Sequence, residues 1–469
     1  MIRKKYLTES INHPSAYYIK AGGIFIWQVE LMNLLSEVLW GYHVLFLITA
    51  VGVKLSFSTS FFQIRHFFKW LKYSLFPCKE EKGKVSSFAA LSTALAGSIG
   101  TGNIVGVSAA ISIGGAGAVF WMWVAAFFGM MTVFAECALS VHFDDGESKG
   151  AFSYIKRIGK GKILPFVYGI GCTLSALTMG NMAQANSVSE GMHQLGVKPV
   201  FTAVIISFIA FFSSKGGIKL VSKITEKLVP LMTLLFLVSS MVLLFIKREN
   251  IPDALNEIIN GAFSKEAVMG GGFYIALKTG ISRSVFTNEA GLGSSAAAFC
   301  EVENKNPVKM GYLGIFQVFL DTSVMCMVTA FCILSGACER SGELLLLSAF
   351  KNVFGDFGKV LISLCMVLFA LATVIASGYY GRVGLSFISK NKLSSIYPLL
   401  SFTAAFIGSI WNIDKIFILS DIFNGLMAIP NTLSLAFFLP LVKEICSKEE
   451  KLGKNTRQNR KIRDIFLKI

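Results

Sequence analysis

Two glycine-rich stretches carry polar side chains inside otherwise apolar sequence: GSIGTGNIVG, Gly97 to Gly106, and GGFYIALKTGISRSVFTNEAGLGSSAAAF, residues 271–299. Glycines so placed can cradle a phosphate, pack one helix on another, or open a helix around a small solute. The phosphate reading needs a β-strand before Gly100-x-Gly102 and a helix after it in a soluble unit. The actual context, FAALSTALAGSIGTGNIVGVSAAISIGGAG, is a single apolar, alanine-rich run. Close packing accounts for Gly102 and Gly106 as a small-xxx-small pair. It leaves Thr101 and Asn103 unexplained at mid-run, together with the backbone entropy spent at Gly97, Gly100 and Gly102. An opened helix accounts for all of them, because its free N–H groups and positive end suit a carboxylate and its free carbonyls suit a cation. In the second stretch Gly280, Gly291 and Gly293 interrupt the run, and Lys278, Arg283, Asn288 and Glu289 are its polar or ionisable members.

The elements that must position these residues are membrane helices. The chain has 469 residues, of which 54% are hydrophobic and 15% charged, and its mean hydropathy is +0.62; a soluble chain carries about a quarter charged residues. The expected fold is an all-α polytopic membrane protein of about eleven transmembrane helices, each near the roughly twenty residues that cross a bilayer. They fall near 37–57, 86–113, 117–140, 164–192, 199–214, 221–246, 270–299, 310–336, 358–388, 395–411 and 416–442. The two glycine-rich spans are then the second and the seventh. That spacing fits two five-helix repeats, residues 86–246 and 270–442, after an N-terminal extension (1–36) and an extra helix (37–57), with a basic tail at 443–469.

The net charge of +16 follows loop position. Basic residues crowd Arg65 to Lys84, Lys149 to Lys162, Lys215 to Lys227, Arg382 to Lys392 and the tail, whereas the intervening loops balance acid against base. The positive-inside bias produces this alternation, placing the basic loops and the C-terminus in the cytoplasm and the N-terminus outside. Binding of anionic lipid by the same residues needs no further assumption, and no nucleic-acid partner is expected. Arg3, Lys4 and Lys5 do not fit the alternation, and the apolar patch around Phe25 is too short to span. The nine cysteines have no paired or metal-like spacing and read as small hydrophobes.

Longer motifs make the chain recognisable. ALAGSIGTGNIVGV, FWMWVAAFFGMMTVFAE, MGNMAQANSV, GGIKLVSKITEKLVPLM, RSVFTNEAGLGS, FLDTSVMCMVTA and DIFNGLMAIPN resemble the alanine or glycine:cation symporter family of the amino acid, polyamine and organocation superfamily, from about residue 86 to 440. The resemblance implies a LeuT-like inverted-repeat fold with two broken helices, and uptake of a small neutral amino acid coupled to sodium by alternating access across the cytoplasmic membrane. It implies that the backbone of Gly100, Thr101, Gly102 and Asn103 receives the substrate carboxylate, that Gln184 faces the pocket, and that Thr279, Gly280 and Ser377 line it. It also implies a sodium site at Ala96, Ile99, Phe369 and Thr373.

The chain departs from the family pattern in three places. Ala372 precedes Thr373 where a serine is expected, removing one hydroxyl from the sodium set. Lys278-Thr279 precedes Gly280, and Ser377 stands in the ninth span, where bulky side chains, often tryptophan, are expected. The lost bulk predicts a larger cavity and a substrate such as glutamine. Lys278 costs a few kcal/mol at mid-span unless it is paired or hydrated, and it either compensates a charge or snorkels to the outer interface. Arg283 and Glu289 form part of an inner gate or tie helix to helix. Glu136 and Asp321 are packing or proton-relay candidates, and Asp421 is a further buried acid. No catalytic residue is assigned, since neither HExxH nor another paired His/Asp arrangement occurs. A proton-coupled or uncoupled carrier and an amino-acid-gated channel or sensor are the alternatives.

Overall fold

The computed structural model describes residues 22–76, 85–158, 162–263, 272–303, 305–336 and 344–451, with side chains from residue 30 onward. The described chain is helical. In order it forms α1 (Gly22–Leu39), α2 (Tyr42–Ser58), α3 (Phe67–Leu75), α4 (Ser87–Ser98), α5 (Val105–Gly114), α6 (Gly117–His142), α7 (Ile163–His193), α8 (Pro199–Lys215), α9 (Gly217–Ile246) and α10 (Ile251–Phe263). Then follow α11 (Gly272–Asn288), α12 (Pro307–Gly336), α13 (Leu345–Phe354), α14 (Asp356–Ser389), α15 (Tyr397–Ile410) and α16 (Ile413–Phe437). Local sequence starts several of them: Ser86 caps α4 by accepting from the Ala89 amide at 3.0 Å, and Asn306 caps α12 ahead of Pro307.

Among the described residues, seven helical stretches are long and apolar enough to cross a bilayer, one of them running from Glu30 in α1 through α2 to Ser58, and α4 with α5 makes an eighth span bent by 56°. The remaining expected spans fall short by that measure: α8 has 17 residues, α15 has 14, and α11 is diluted by its polar side chains. Large apolar side chains on α8 and α9 face outward, Phe201, Phe212, Leu234 and Phe245 each more than 60% exposed. Exposed apolar area on this scale requires lipid or a partner.

α6 is the centre of the bundle, packed on both α11 and α12, and α7 packs on α14 and α16. The basic loops converge on one face. Lys149 pairs with Glu301, Lys305 with Asp144 and Lys156 with Asp145, Arg65 reaches Glu450 at 2.6 Å, and Arg382 donates to the carbonyls of Ser214 and Lys215. α1 lies against α16, and Trp40, between α1 and α2, donates from Nε1 to Ser282 Oγ at 2.9 Å. The apolar patch around Phe25 thus lies in a helix, Gly22–Leu39, whose end continues with α2 as one candidate span, Glu30–Ser58.

Candidate functional site

The break between α4 and α5 is a single tight turn, Thr101–Asn103, entered through Gly100 in extended conformation (φ −125°, ψ −163°). The donors at its start are engaged. The Gly100 amide donates to Asn103 Oδ1 at 3.0 Å, and the Thr101 amide and hydroxyl both donate to Gln184 Oε1, at 3.0 and 2.9 Å. Gln184 is held in turn by its Nε2, which donates to the Met179 carbonyl at 3.2 Å, within a π-helical turn of α7 at Thr178–Met182. Such turns misalign the regular ladder and recur at functional sites. A Cβ on Gly100 would lie 2.5 Å from Thr373 Oγ1 and 3.0 Å from Gln184 Oε1. Hydroxyl, amide and open backbone meet there, in a region closed to solvent.

Asn103 carries the site onward. Its Nδ2 donates to Asp321 Oδ1 at 2.7 Å and to the Asp321 carbonyl at 3.1 Å. Thr322 Oγ1 donates to Asp321 Oδ2 at 2.8 Å and accepts from Asn288 Nδ2 at 3.1 Å. Asp321 lies in the π-helical turn Phe319–Cys326 of α12, is fully buried, and forms no ion pair among the described residues. It joins the first broken helix to the end of α11.

The second break lies at two of the three glycines that interrupt its run. α11 is continuous from Gly272 to Asn288, and the chain turns at Glu289, Gly291 and Gly293, whose φ values are 59°, 92° and 71°. The left-handed region favours glycine, so the two glycines suit this turn and Glu289 is its strained member. The turn is pinned from three sides. The Gly291 amide donates to Glu136 Oε1 at 2.9 Å, Asn431 Nδ2 donates to the same oxygen at 2.7 Å and to the Gly291 carbonyl at 2.8 Å, and Tyr154 OH donates to Asn431 Oδ1 at 2.5 Å. Glu289 accepts from Ser294 Oγ.

Gly280 is therefore not a break. A Cβ there would lie 2.4 Å from the Ala118 carbonyl and 2.7 Å from Trp121 Cβ, so this glycine lets α11 approach α6. Gly280→Ala is expected to lower the thermal midpoint of the purified chain while the folded fraction keeps its amino-acid affinity; weakened affinity at unchanged midpoint would return Gly280 to the pocket.

Two cavities flank the breaks. A small one of about 20 Å³, lined by Gly180, Ser377, Tyr380, Glu289 and Ser294 among others, has room for roughly one water molecule. A large one of about 540 Å³ lies at the opposite end of α11, where Lys278, Thr279, Arg283 and Asp421 line it. This arrangement corrects two expectations. Lys278 and Ser377 do not enlarge one pocket: Ser377 packs against Gly180, whose Cβ would sit 2.2 Å from its Oγ, while Lys278 lies in the large cavity with Nζ over the Tyr42 ring at 4.7 Å. Arg283 and Glu289 do not share a gate, because Arg283 stacks on Phe417 at 4.7 Å beside the large cavity and Glu289 lines the small one. Six residues of helix separate them by about 9 Å of rise and turn them to different sides.

Of the sodium set, Ala96, Ile99, Phe369 and Thr373 are all buried, α14 packs on α4, and the Thr373 hydroxyl donates to the Phe369 carbonyl at 3.1 Å. Among the described residues no three His, Cys, Asp or Glu side chains gather as a metal site. Asn431, Tyr154, Thr322 and Tyr380 are site residues that the sequence did not single out; their one signal is polarity within apolar runs.

Residues 26–463 match the sodium:alanine symporter family. The chain is 32% identical to the sodium/alanine symporter AgcS of Methanococcus maripaludis, over 92% of this chain and 99% of that one. It is 29% identical to a probable sodium/glutamine symporter, GlnT, of Bacillus subtilis, over 87% of each. Among solved structures, a manganese transporter of Eremococcus coleocola aligns with 79% of this chain and 80% of its own at 13% identity, with a TM-score of 0.49.

Proposed function

The chain belongs to the sodium:alanine symporter family, whose members are transporters and not enzymes, and from that premise we propose that it imports a small neutral amino acid together with sodium. One observation carries the reading. At the first break a backbone amide and a hydroxyl, those of Thr101, converge on one oxygen of Gln184 inside the bundle, a geometry that a substrate carboxylate can take over with the gain of a charge-assisted bond. The substrate carboxylate binds Gly100 to Asn103, and Gln184 turns to the substrate amino group. The substrate is of alanine or glycine size, with glutamine as the larger alternative. The carbonyls of Ala96, Ile99 and Phe369 and the Thr373 hydroxyl supply hard oxygen ligands to sodium.

Alternating access follows as rocking of the two five-helix repeats about the breaks, in a LeuT-like arrangement within the cytoplasmic membrane. The basic face lies in the cytoplasm with the C-terminus, and the large cavity opens outside. Asp321, buried and without a basic partner among the described residues, favours a second reading in which a proton is the coupling ion. In proteoliposomes at fixed pH, replacing external sodium by choline is expected to reduce labelled alanine uptake at least about tenfold. Unchanged uptake would remove sodium, and dependence on an inward pH gradient would then assign the coupling to a proton. Counterflow of labelled against unlabelled alanine separates this carrier from a channel.

A further inference from the structure

The large cavity has properties that one central site does not require. At about 540 Å³ it falls in the size range of small-molecule sites, and its wall mixes both charges: Lys278 and Arg283 with Glu37 and Asp421. Both cationic side chains lie over aromatic rings, Lys278 on Tyr42 and Arg283 on Phe417; they act electrostatically on Asp421, but among the described residues neither is ion-paired. Two buried atoms of this wall lack hydrogen-bond partners among the described residues, Nη1 of Arg283 and Oδ1 of Asp421. A charged donor and a charged acceptor left open in one cavity are costly unless something binds them. α1 and the Trp40 junction supply part of the wall, which gives the N-terminal helix a place in the site.

We propose that this cavity is a second, outer binding site for a zwitterionic α-amino acid, its carboxylate on Arg283 and its ammonium group on Asp421. One molecule carries both charged groups on a single α-carbon and so satisfies both open groups at once, which neither an anion nor a cation alone does. The site receives the amino acid before it descends along α11 to the first break. The proposal rests on the amino-acid transport reading, but its test is separate.

Equilibrium binding of each of the twenty standard amino acids to the purified full chain in nanodiscs is expected to give two molecules per chain for the transported one. Arg283→Gln and Asp421→Asn each leave one, Gln184→Ala leaves the other, and Arg283→Gln with Gln184→Ala leaves none. Should the charge variants fail to fold, tryptophan fluorescence provides a second readout: the amino acid shifts the emission of the unaltered chain, and Trp40→Phe removes at least half of that shift. The outer site is overturned by one molecule per chain that Arg283→Gln does not affect, by no Arg283-dependent binding among the twenty, or by a fluorescence shift that Trp40→Phe leaves intact. Failed counterflow with intact two-site binding would instead overturn transport and spare the outer site.

Discussion

Gly100→Ala is expected to lower sodium-dependent alanine uptake about 100-fold, equivalent to about 2.7 kcal/mol, in a chain that still reaches the membrane. The backbone at Gly100 is one that any residue adopts, so the loss is steric. The new methyl lands 2.5 Å from Thr373 Oγ1 and 3.0 Å from Gln184 Oε1, displacing the hydroxyl proposed to bind sodium and the amide that holds Thr101. Gly106→Ala is the control: its methyl meets nothing nearer than Thr287 Cγ2 at 3.7 Å, and alanine improves helix propensity. Near-normal uptake is expected there. Uptake by Gly100→Ala within about threefold of the unaltered chain would show that the first break is not where substrate and cation meet.

Asn431→Ala is the second large effect, on stability. It removes the donor to Glu136 Oε1 and to the Gly291 carbonyl, and the acceptor of Tyr154 OH, leaving three buried polar groups short of a partner. Each costs about 1–3 kcal/mol, and the Glu136 side chain already has Oε2 without a partner. A loss of about 3–5 kcal/mol is expected. In detergent the thermal midpoint of the purified chain should fall by at least about 5 °C. Asn431→Asp keeps the acceptor for Tyr154 but sets a second carboxylate beside Glu136, and is expected to be no better. A midpoint unchanged by Asn431→Ala would mean that the second break is held by other contacts.

The first break was legible because Thr101 and Asn103, polar at the centre of an apolar run, accompanied the glycines; only an opened helix uses both. Of the three glycines read as the second break, Gly291 and Gly293 are at the turn and Gly280 is not. Gly280 and Gly100 look alike in sequence, yet one admits a neighbouring helix and the other admits a hydroxyl and an amide, and glycine carries no mark of which. Glu289 taking a left-handed turn was unreadable, since the contacts that enforce it come from Glu136 and Asn431, 295 residues apart. Gln184 was found through family resemblance, because a single sequence does not say that a residue 83 positions away holds the Thr101 amide. The alternation of loop charge was a reliable guide to shared position: Arg65 with Glu450, Lys149 with Glu301 and Arg382 with Lys215 meet on one face.

The Gln184 amide also sets what the first break discriminates. Because Oε1 of Gln184 already occupies the Thr101 amide and hydroxyl, an incoming oxygen must outcompete an internal rival. A neutral carbonyl, as in an amino-acid amide, exchanges one uncharged acceptor for another and gains almost nothing. A carboxylate gains the roughly twofold strength of a charge-assisted bond. With the substrate carboxylate at the first break, as proposed, the built-in acceptor filters by charge, so alaninamide should compete poorly for uptake even though its shape differs from alanine by a single group.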